Sequence, residues 1–446
     1  MTRLNGLFSG AFAFCILLCI PCLTRADAVT DWNAIAIQAI VSVPSHSGAP
    51  SFLDSAIVQA AVYDAVESIT CRFRPYAIRV PGASGSPSAA VAKAAHDVLV
   101  NRFPSLSASL DMKYHDYLST HGIAETDAGV AVGAAAAAAI IALRAHDGSF
   151  PSPPPPPFTG GTNIGEWRPT PSFIILPGAT LPSPPSMSPM LAPWLATVTP
   201  FTLKSPSQFR AVPPPALTSK RYAAAFNEVK SMGVATNSSR TAEQTDLALF
   251  WYSNYLILWY QTLRAVATEH LTSIDDNARL FALVSLAMGD AAITAWDTKR
   301  HYVFWRPYTA IHEADNDDNP ETTSDLNWQP LVNNPNYPEY TSGANNVTGA
   351  ITRMLELFFG TDEMTFTVTT NYALANPQMP TLTFHRFSDA AKDVMNARVW
   401  EGIHFRFSDV QGRRQGRQVA RWVFSHFLRS VDADETDEHE DEGDDE

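Results

Sequence analysis

The sequence predicts an all-α protein. Apolar residues recur at helical spacing through most of the chain. No series of segments alternates polar and apolar residues as half-buried strands do. No repeat of roughly 20–50 residues marks a solenoid or propeller. With 46% hydrophobic and 11% aromatic residues over 446 positions, the chain can bury a large core, which excludes global disorder.

The elements follow in order. Residues 1–28 read as a signal peptide, with Arg3 in a positive start, an apolar run from Leu7 to Leu23, and Ala26-Asp27-Ala28 at the spacing a signal peptidase reads. Cleavage is expected after Ala28, giving a secreted or periplasmic protein with no membrane span left. Cys15, Cys19 and Cys22 leave with it, and Cys71 remains alone. The mature protein then has no internal disulfide and no thiolate metal site. Residues 29–150 form an N-terminal helical region, with helices over 52–68, 87–102, 107–120 and 124–145. Residues 151–216 hold Pro153–Pro157, Pro182, Pro184, Pro185, Pro189 and Pro213–Pro215, too many prolines for long regular elements. Trp167, Phe173, Trp194 and Phe201 make this an ordered wrap over the core rather than a loose linker. Helices resume in 217–429. One spans 218–231; Thr241 and Gln244 form a capping box that opens another to about Leu271; a third covers about 277–304.

The formal charge of −14 is unevenly placed. Ser430–Glu446 carries eleven carboxylates and no Lys or Arg, and residues 1–28 carry a net +1, so Val29–Arg429 holds only −4. This excludes a basic nucleic-acid binder. It also makes acidity a property of a solvated, disordered tail over 430–446.

Three segments of the second half carry candidate chemistry. Lys299 and Arg306 are seven apart; on one helix they would share a face, about 10 Å apart, and could converge on an anion. Two ordinary surface cations would show the same spacing. Tyr340-Thr341-Ser342-Gly343-Ala344 feeds an apolar helical run from Val347 to Phe359 and presents backbone N–H groups and hydroxyls to an anion, or simply caps a helix. Arg398 lies in a helix from about Ser388. A continuous helix would turn His404 about 120° away from it, and Gly402 is placed to break that helix and swing the imidazole back. Among cations His404 would stay neutral, with a nitrogen free to act as ligand or nucleophile. Stacked on Trp400, Phe405 and Phe407 it would instead be structural.

Together these segments resemble the vanadium-dependent haloperoxidases and the related type 2 phosphatidic-acid phosphatases. That family has Lys, six residues, Arg-Pro; then Pro-Ser-Gly-His; then Ser-Arg, five residues, His, three residues, Asp. Lys299, Arg306 and Pro307 match the first motif, and Arg398 and His404 match the third. Trp296, three before the Lys, matches an aromatic lining the halide site in the chloroperoxidase branch. The second motif departs: Thr341-Ser342-Gly343-Ala344 lacks the acid–base His. The Ser before the third motif's Arg is Ala397, and its terminal Asp is Ser408, with Asp409 one residue late.

The resemblance implies a helical-bundle fold of the haloperoxidase/acid-phosphatase type. It implies vanadate, with phosphate as competing ligand, held by Lys299, Arg306, Arg398, the Ser342 hydroxyl and the Gly343 N–H, with His404 axial to the metal. Trp296 and Tyr337, with Trp400 nearby, would line the halide side. The implied reaction oxidises halide with hydrogen peroxide. In the phosphatase alternative His404 attacks a small phosphoester, and the missing His hurts that route most. A third reading is an anion binder without turnover. Candidate substitutes for the missing acid–base group are His301, His385 and Glu339. Family members often form homo-oligomers, but no interface is legible here. Deleting 430–446 is expected to leave catalysis unchanged; a large loss of turnover would contradict the solvated-tail reading.

Overall fold

The computed structural model describes residues 27–172 and 187–431. Residues 1–26 of the expected signal peptide, Phe173 with the first three prolines of the 182–189 cluster, and the acidic stretch from Asp432 onward lie outside them.

Thirteen α-helices and one two-stranded sheet are the main elements among the described residues, with short 3-10 turns and irregular stretches between them. The first five helices are α1 (Ala28–Ser42), α2 (Pro50–Thr70), α3 (Pro87–Arg102), α4 (Ser107–Thr120) and α5 (Ala128–Arg144). Next come α6 (Lys220–Met232), α7 (Ala242–Trp251), α8 (Tyr255–His270), α9 (Ile274–Tyr302), α10 (Pro307–His312) and α11 (Gly343–Phe359). A hairpin of β1 (Glu363–Thr369) and β2 (Thr381–Arg386) leads into α12 (Phe387–Trp400) and α13 (Arg406–His426). The axis of the fold is α9, whose 29 residues make a rod about 43 Å long. It is apolar and long enough to cross a membrane, yet it is buried nearly all round by α2, α11 and α13.

Several helices start where side-chain chemistry dictates. Asp27 caps α1 by accepting from the N–H groups of Val29 (3.0 Å) and Thr30 (3.1 Å), and Asn277 on α9 donates to its other oxygen at 2.7 Å. Cleavage after Ala28 would remove this cap and the buried Ala28; cleavage after Ala26 would keep both. Thr241 and Gln244 form both halves of the capping box of α7.

The structure corrects the sequence reading in four places. The helix expected from Thr241 to about Leu271 is two. Asn254 accepts from the N–H groups of Leu256 and Ile257 and so starts α8 anew after the break at Tyr252–Asn254. α1 had no counterpart in the sequence reading. The hairpin went unseen as well: Met364, Phe366 and Val368 alternate with Glu363, Thr365 and Thr367, but over one short run. Finally, Lys299 and Arg306 do not share a helix. α9 ends at Tyr302, Val303 takes a left-handed φ of +50°, and Arg306 sits at the N-cap of α10, where Pro307 supplies the first helical residue.

The wrap reaches the core through backbone bonds. Trp167 is buried, its N–H donates to the Val303 carbonyl at 2.7 Å, and the Trp305 N–H donates to Gly165 at 2.9 Å. These bonds fix the bend between Lys299 and Arg306. At the other end Ser430 bridges Phe73, and Val431 N–H donates to the Arg72 carbonyl, so the first two residues of the expected tail pack against the body.

The α11–α13 contact positions the candidate site, and it depends on absent side chains. A Cβ on Gly416 would lie 1.9 Å from the Asn346 carbonyl oxygen, and one on Gly412 would lie 2.5 Å from that of Ser342. The two helices therefore touch backbone to backbone. Gly416→Ala must push them apart and is expected to cost about 1–3 kcal/mol, read as a lower denaturant midpoint. An unchanged midpoint would show that the contact relaxes freely.

Candidate active site: a buried cation cluster

Lys299 and Arg306 are fully buried, and Arg398 is 5% exposed. Burying three cations close together is costly unless each is paired or hydrogen-bonded, and each is satisfied differently. The Lys299 ammonium donates to the carbonyls of Pro338 (2.8 Å), Glu339 (3.0 Å) and Thr341 (2.5 Å). All three of its donors are thereby used, and the loop before α11 is wrapped around it. Lys299 therefore brings positive charge to the site but no free N–H. Arg306 donates from Nε to the Tyr337 carbonyl at 3.0 Å and from Nη1 to that of Ile403 at 2.8 Å. Its Nη2 is buried without a hydrogen-bond partner. Arg398 pairs with Glu401, one turn on, at 2.7 Å, while its Nε is buried without a partner.

His404 returns to the cations because α12 ends at Trp400 and Gly402 takes a φ of +81°. A side chain at residue 402 would also meet the Gly233 carbonyl oxygen at 2.5 Å. The imidazole is 1% exposed, with Nδ1 2.8 Å from Glu339 Oε1, and that same oxygen accepts from the Phe405 N–H. The Nδ1 proton thus points at Glu339, leaving a lone pair on Nε2. Arg306 Nη1 lies 3.3 Å from Nε2. Burial, then Arg306, Arg398 and Lys299, hold the imidazole well below its ordinary pKa, so it is neutral at pH 7.

The carboxylates were the least visible part of the site. Glu339, one of the guessed acid–base groups, holds the His404 ring. Glu401 pairs with Arg398, a side-chain spacing of three on one helix that the sequence displayed. Asp409 accepts from Asn345 Nδ2 at 2.8 Å, and that amide also reaches the Ser342 hydroxyl at 3.2 Å. Burial pushes Glu339 up to about 7 and Glu401 up to about 8, and raises Asp409 well above the usual carboxylate range. Burial first, with Arg306 next, lowers Lys299 well below its ordinary value.

Ser342 is the N-cap of α11 but makes no side-chain cap bond, so the first turn of the helix keeps backbone N–H groups unclaimed by that hydroxyl. Gly343 and Ala344 open onto a cavity of about 300 Å³. Trp296, Tyr337, Arg398, Tyr252, Tyr255 and Phe52 also line it. The Tyr337 ring faces Lys299 (4.9 Å) and Arg306 (5.0 Å), and Trp296 packs 4.8 Å from it. Trp400 is not part of this lining. His301 and His385 are exposed, His385 on β2, and neither joins the site. The sequon at Asn346 is buried and bonded to Gln415 at 2.7 Å. Sequence reasoning missed the wall from Ser47 to Phe52 and the one from Tyr252 to Leu256, since only tertiary packing brings them here.

A helical bundle that gathers three buried cations and a neutral His beside a cavity has the groups to hold an oxyanion. Residues 279–433 match the family model described as the VCPO second helical-bundle domain. The vanadium chloroperoxidase of Curvularia inaequalis is 24% identical over 197 residues, 38% of this chain and 32% of that protein; the match spans about a third of that relative. A bacterial vanadium-dependent iodoperoxidase superposes with a TM-score of 0.74 at 23% identity, covering 91% of this chain and 98% of that one. The holo form of a bacterial vanadium-dependent chloroperoxidase gives 0.70 at 17% identity, over 90% and 97% of the two chains. The fold is thus that of the vanadium haloperoxidases, and residues 279–433 carry the match to their second helical-bundle domain.

The raised carboxylates set a pH dependence. A carboxyl whose folded pKa exceeds its unfolded value binds its proton more tightly in the folded state, so stability is lost as pH rises through the folded pKa. Above about pH 6.5, where an unfolded His404 is also neutral, the ligand-free protein should therefore melt lower as pH rises to 8, and Glu401→Gln should flatten part of that slope. A stability that rises over this interval would contradict the assignment.

Proposed function

We propose that the protein is an exported enzyme of the vanadium haloperoxidase type, using hydrogen peroxide to oxidise halide. The observation that carries this reading is the pairing of donors without partners, Arg306 Nη2 and Arg398 Nε, with a neutral His404 whose Nε2 lone pair lies among them. These groups fit vanadate: two guanidinium donors and the first turn of α11 for its oxygens, and an unprotonated imidazole nitrogen as metal ligand. When bound, vanadate supplies a redox-inert Lewis-acid centre that activates hydrogen peroxide toward halide.

The protein's own part is electrostatic and positional. Charge-assisted hydrogen bonds from Arg306 and Arg398 hold the oxyanion. Lys299 offsets its charge from a fixed point, because the loop carbonyls saturate the ammonium. Glu339 sets the His404 tautomer and ring plane, a support role that metal-ligating histidines commonly need. Trp296 and Tyr337 give the cavity an aromatic wall that keeps bulk water back. Ala344 offers no proton. Cleavage of a phosphoester needs one for its leaving oxygen, which favours peroxide chemistry over the phosphatase alternative.

Halide oxidation by hydrogen peroxide should appear only after orthovanadate is added, and phosphate should compete. His404→Ala should abolish it, and Arg398→Ala should lower it by about 10²-fold or more. Phosphate release from a simple ester without vanadate, and no halide oxidation with it, would overturn the proposal.

A further inference from the structure

The polar side chains on the cavity wall are mostly spoken for. Tyr252 donates its hydroxyl to the Asn333 carbonyl at 3.2 Å, and Ser253 donates to Phe250 at 2.8 Å. Ser51 donates to Gly48 at 2.5 Å, and Trp296 Nε1 donates to Leu191 at 3.0 Å. Asn254 is spent capping α8. Tyr255 differs. Its hydroxyl is buried beside the Arg398 guanidinium, which can only donate to it, and its own O–H reaches no acceptor, although the residue lines the same cavity as Gly343, Ala344 and Arg398. A buried O–H left unpaired is a cost the fold carries, and such costs gather where a ligand completes the bonding.

The position of Tyr255 has a local cause. The helix from Thr241 breaks at Tyr252–Asn254, and Asn254 restarts it, so Tyr255 is the first residue of α8 and stands at the cavity edge. Ala344, on the first turn of α11, faces the same space and is the position where the resemblance expects a His. The α11 side of the site therefore carries no protic side chain at Ala344, and the α8 side carries a hydroxyl whose O–H has no acceptor.

We infer that Tyr255 is an oxyanion-binding residue of this pocket, donating its phenolic O–H to an oxygen of a bound tetrahedral oxyanion beside Arg398. The inference rests on the oxyanion reading of the site and extends it to a residue outside the three motifs. Burial keeps the phenol protonated well above neutral pH, despite the nearby Arg398, so the group serves as a fixed donor and not as a base. Tyr255 supplies a hydrogen bond and no proton transfer, so it does not restore the acid–base step missing at Ala344.

The test is oxyanion affinity, measured by calorimetric titration of the full-length protein with orthovanadate and with inorganic phosphate, without peroxide or halide. Tyr255→Phe keeps the ring and should weaken both anions about tenfold, as expected for a hydrogen bond to a charged group. Tyr252→Phe, whose hydroxyl is already engaged, should bind as the unsubstituted protein does. Arg306→Ala should lose most of the affinity. Unchanged binding in Tyr255→Phe with loss in Arg306→Ala would overturn the inference and leave the pocket reading standing. An equal loss in Tyr252→Phe would also overturn it, by showing that the effect is not specific to the unpaired hydroxyl. Unchanged affinity in Arg306→Ala would remove the oxyanion pocket itself.

Discussion

The constraint on which the structure depends is the burial of three cations in the middle of a helical core. Lys299 and Arg306 show no solvent exposure and Arg398 almost none. Helix interiors offer few spare acceptors, since their carbonyls are already bonded along the helix. The chain must therefore bring irregular backbone to the cations. It does so with the Tyr337–Thr341 loop, whose carbonyls take Lys299 and Arg306 Nε, and with the turn after α12, whose Ile403 carbonyl takes Arg306 Nη1. Glu401 lies 2.7 Å from Arg398, and Glu339 lies 2.8 Å from His404 beside them.

The surroundings follow from that requirement. α9 must end at Tyr302 so that Arg306 can turn back, and the wrap secures the bend through Trp167 and Gly165. The turn at Gly402 brings His404 beneath Arg306 and lets Glu339 take both the imidazole and the Phe405 amide. Gly412 and Gly416 allow α13 to lie against α11, and Gln415 ties Thr341, Asn346 and Thr298 into one network. Arg306 Nη2 and Arg398 Nε are left without partners, and the His404 Nε2 lone pair meets only Arg306 Nη1, at 3.3 Å. The Tyr255 hydroxyl, on the cavity wall beside Arg398, also donates to no acceptor.

Much of this was legible in the sequence, and the reasons are physical. Helix periodicity over 87–102, 107–120 and most of α9 reports faces buried against the core. The all-α class survives the small hairpin. The pairing of Lys299 with Arg306 and of Arg398 with His404 was readable because residue type and spacing are local properties. The reason given for the first pair was wrong: a left-handed Val303 and Pro307 bring the two cations together, not a continuous helix. The carboxylate partners were harder. Glu339 meets His404 across 65 positions, and Asp409 meets Asn345 across 64. Such contacts are properties of packing, as are the cavity walls supplied by Ser47–Phe52 and Tyr252–Leu256.

The most direct test of the central claim is a crystal structure of the protein grown with orthovanadate. The account predicts vanadate in the pocket bonded to His404 Nε2, with oxygens within hydrogen-bond distance of Arg306 Nη2 and Arg398, and Lys299 still held by the three loop carbonyls. Vanadate bound elsewhere, or density in the pocket with His404 Nε2 still turned to Arg306 and not to the metal, would contradict it.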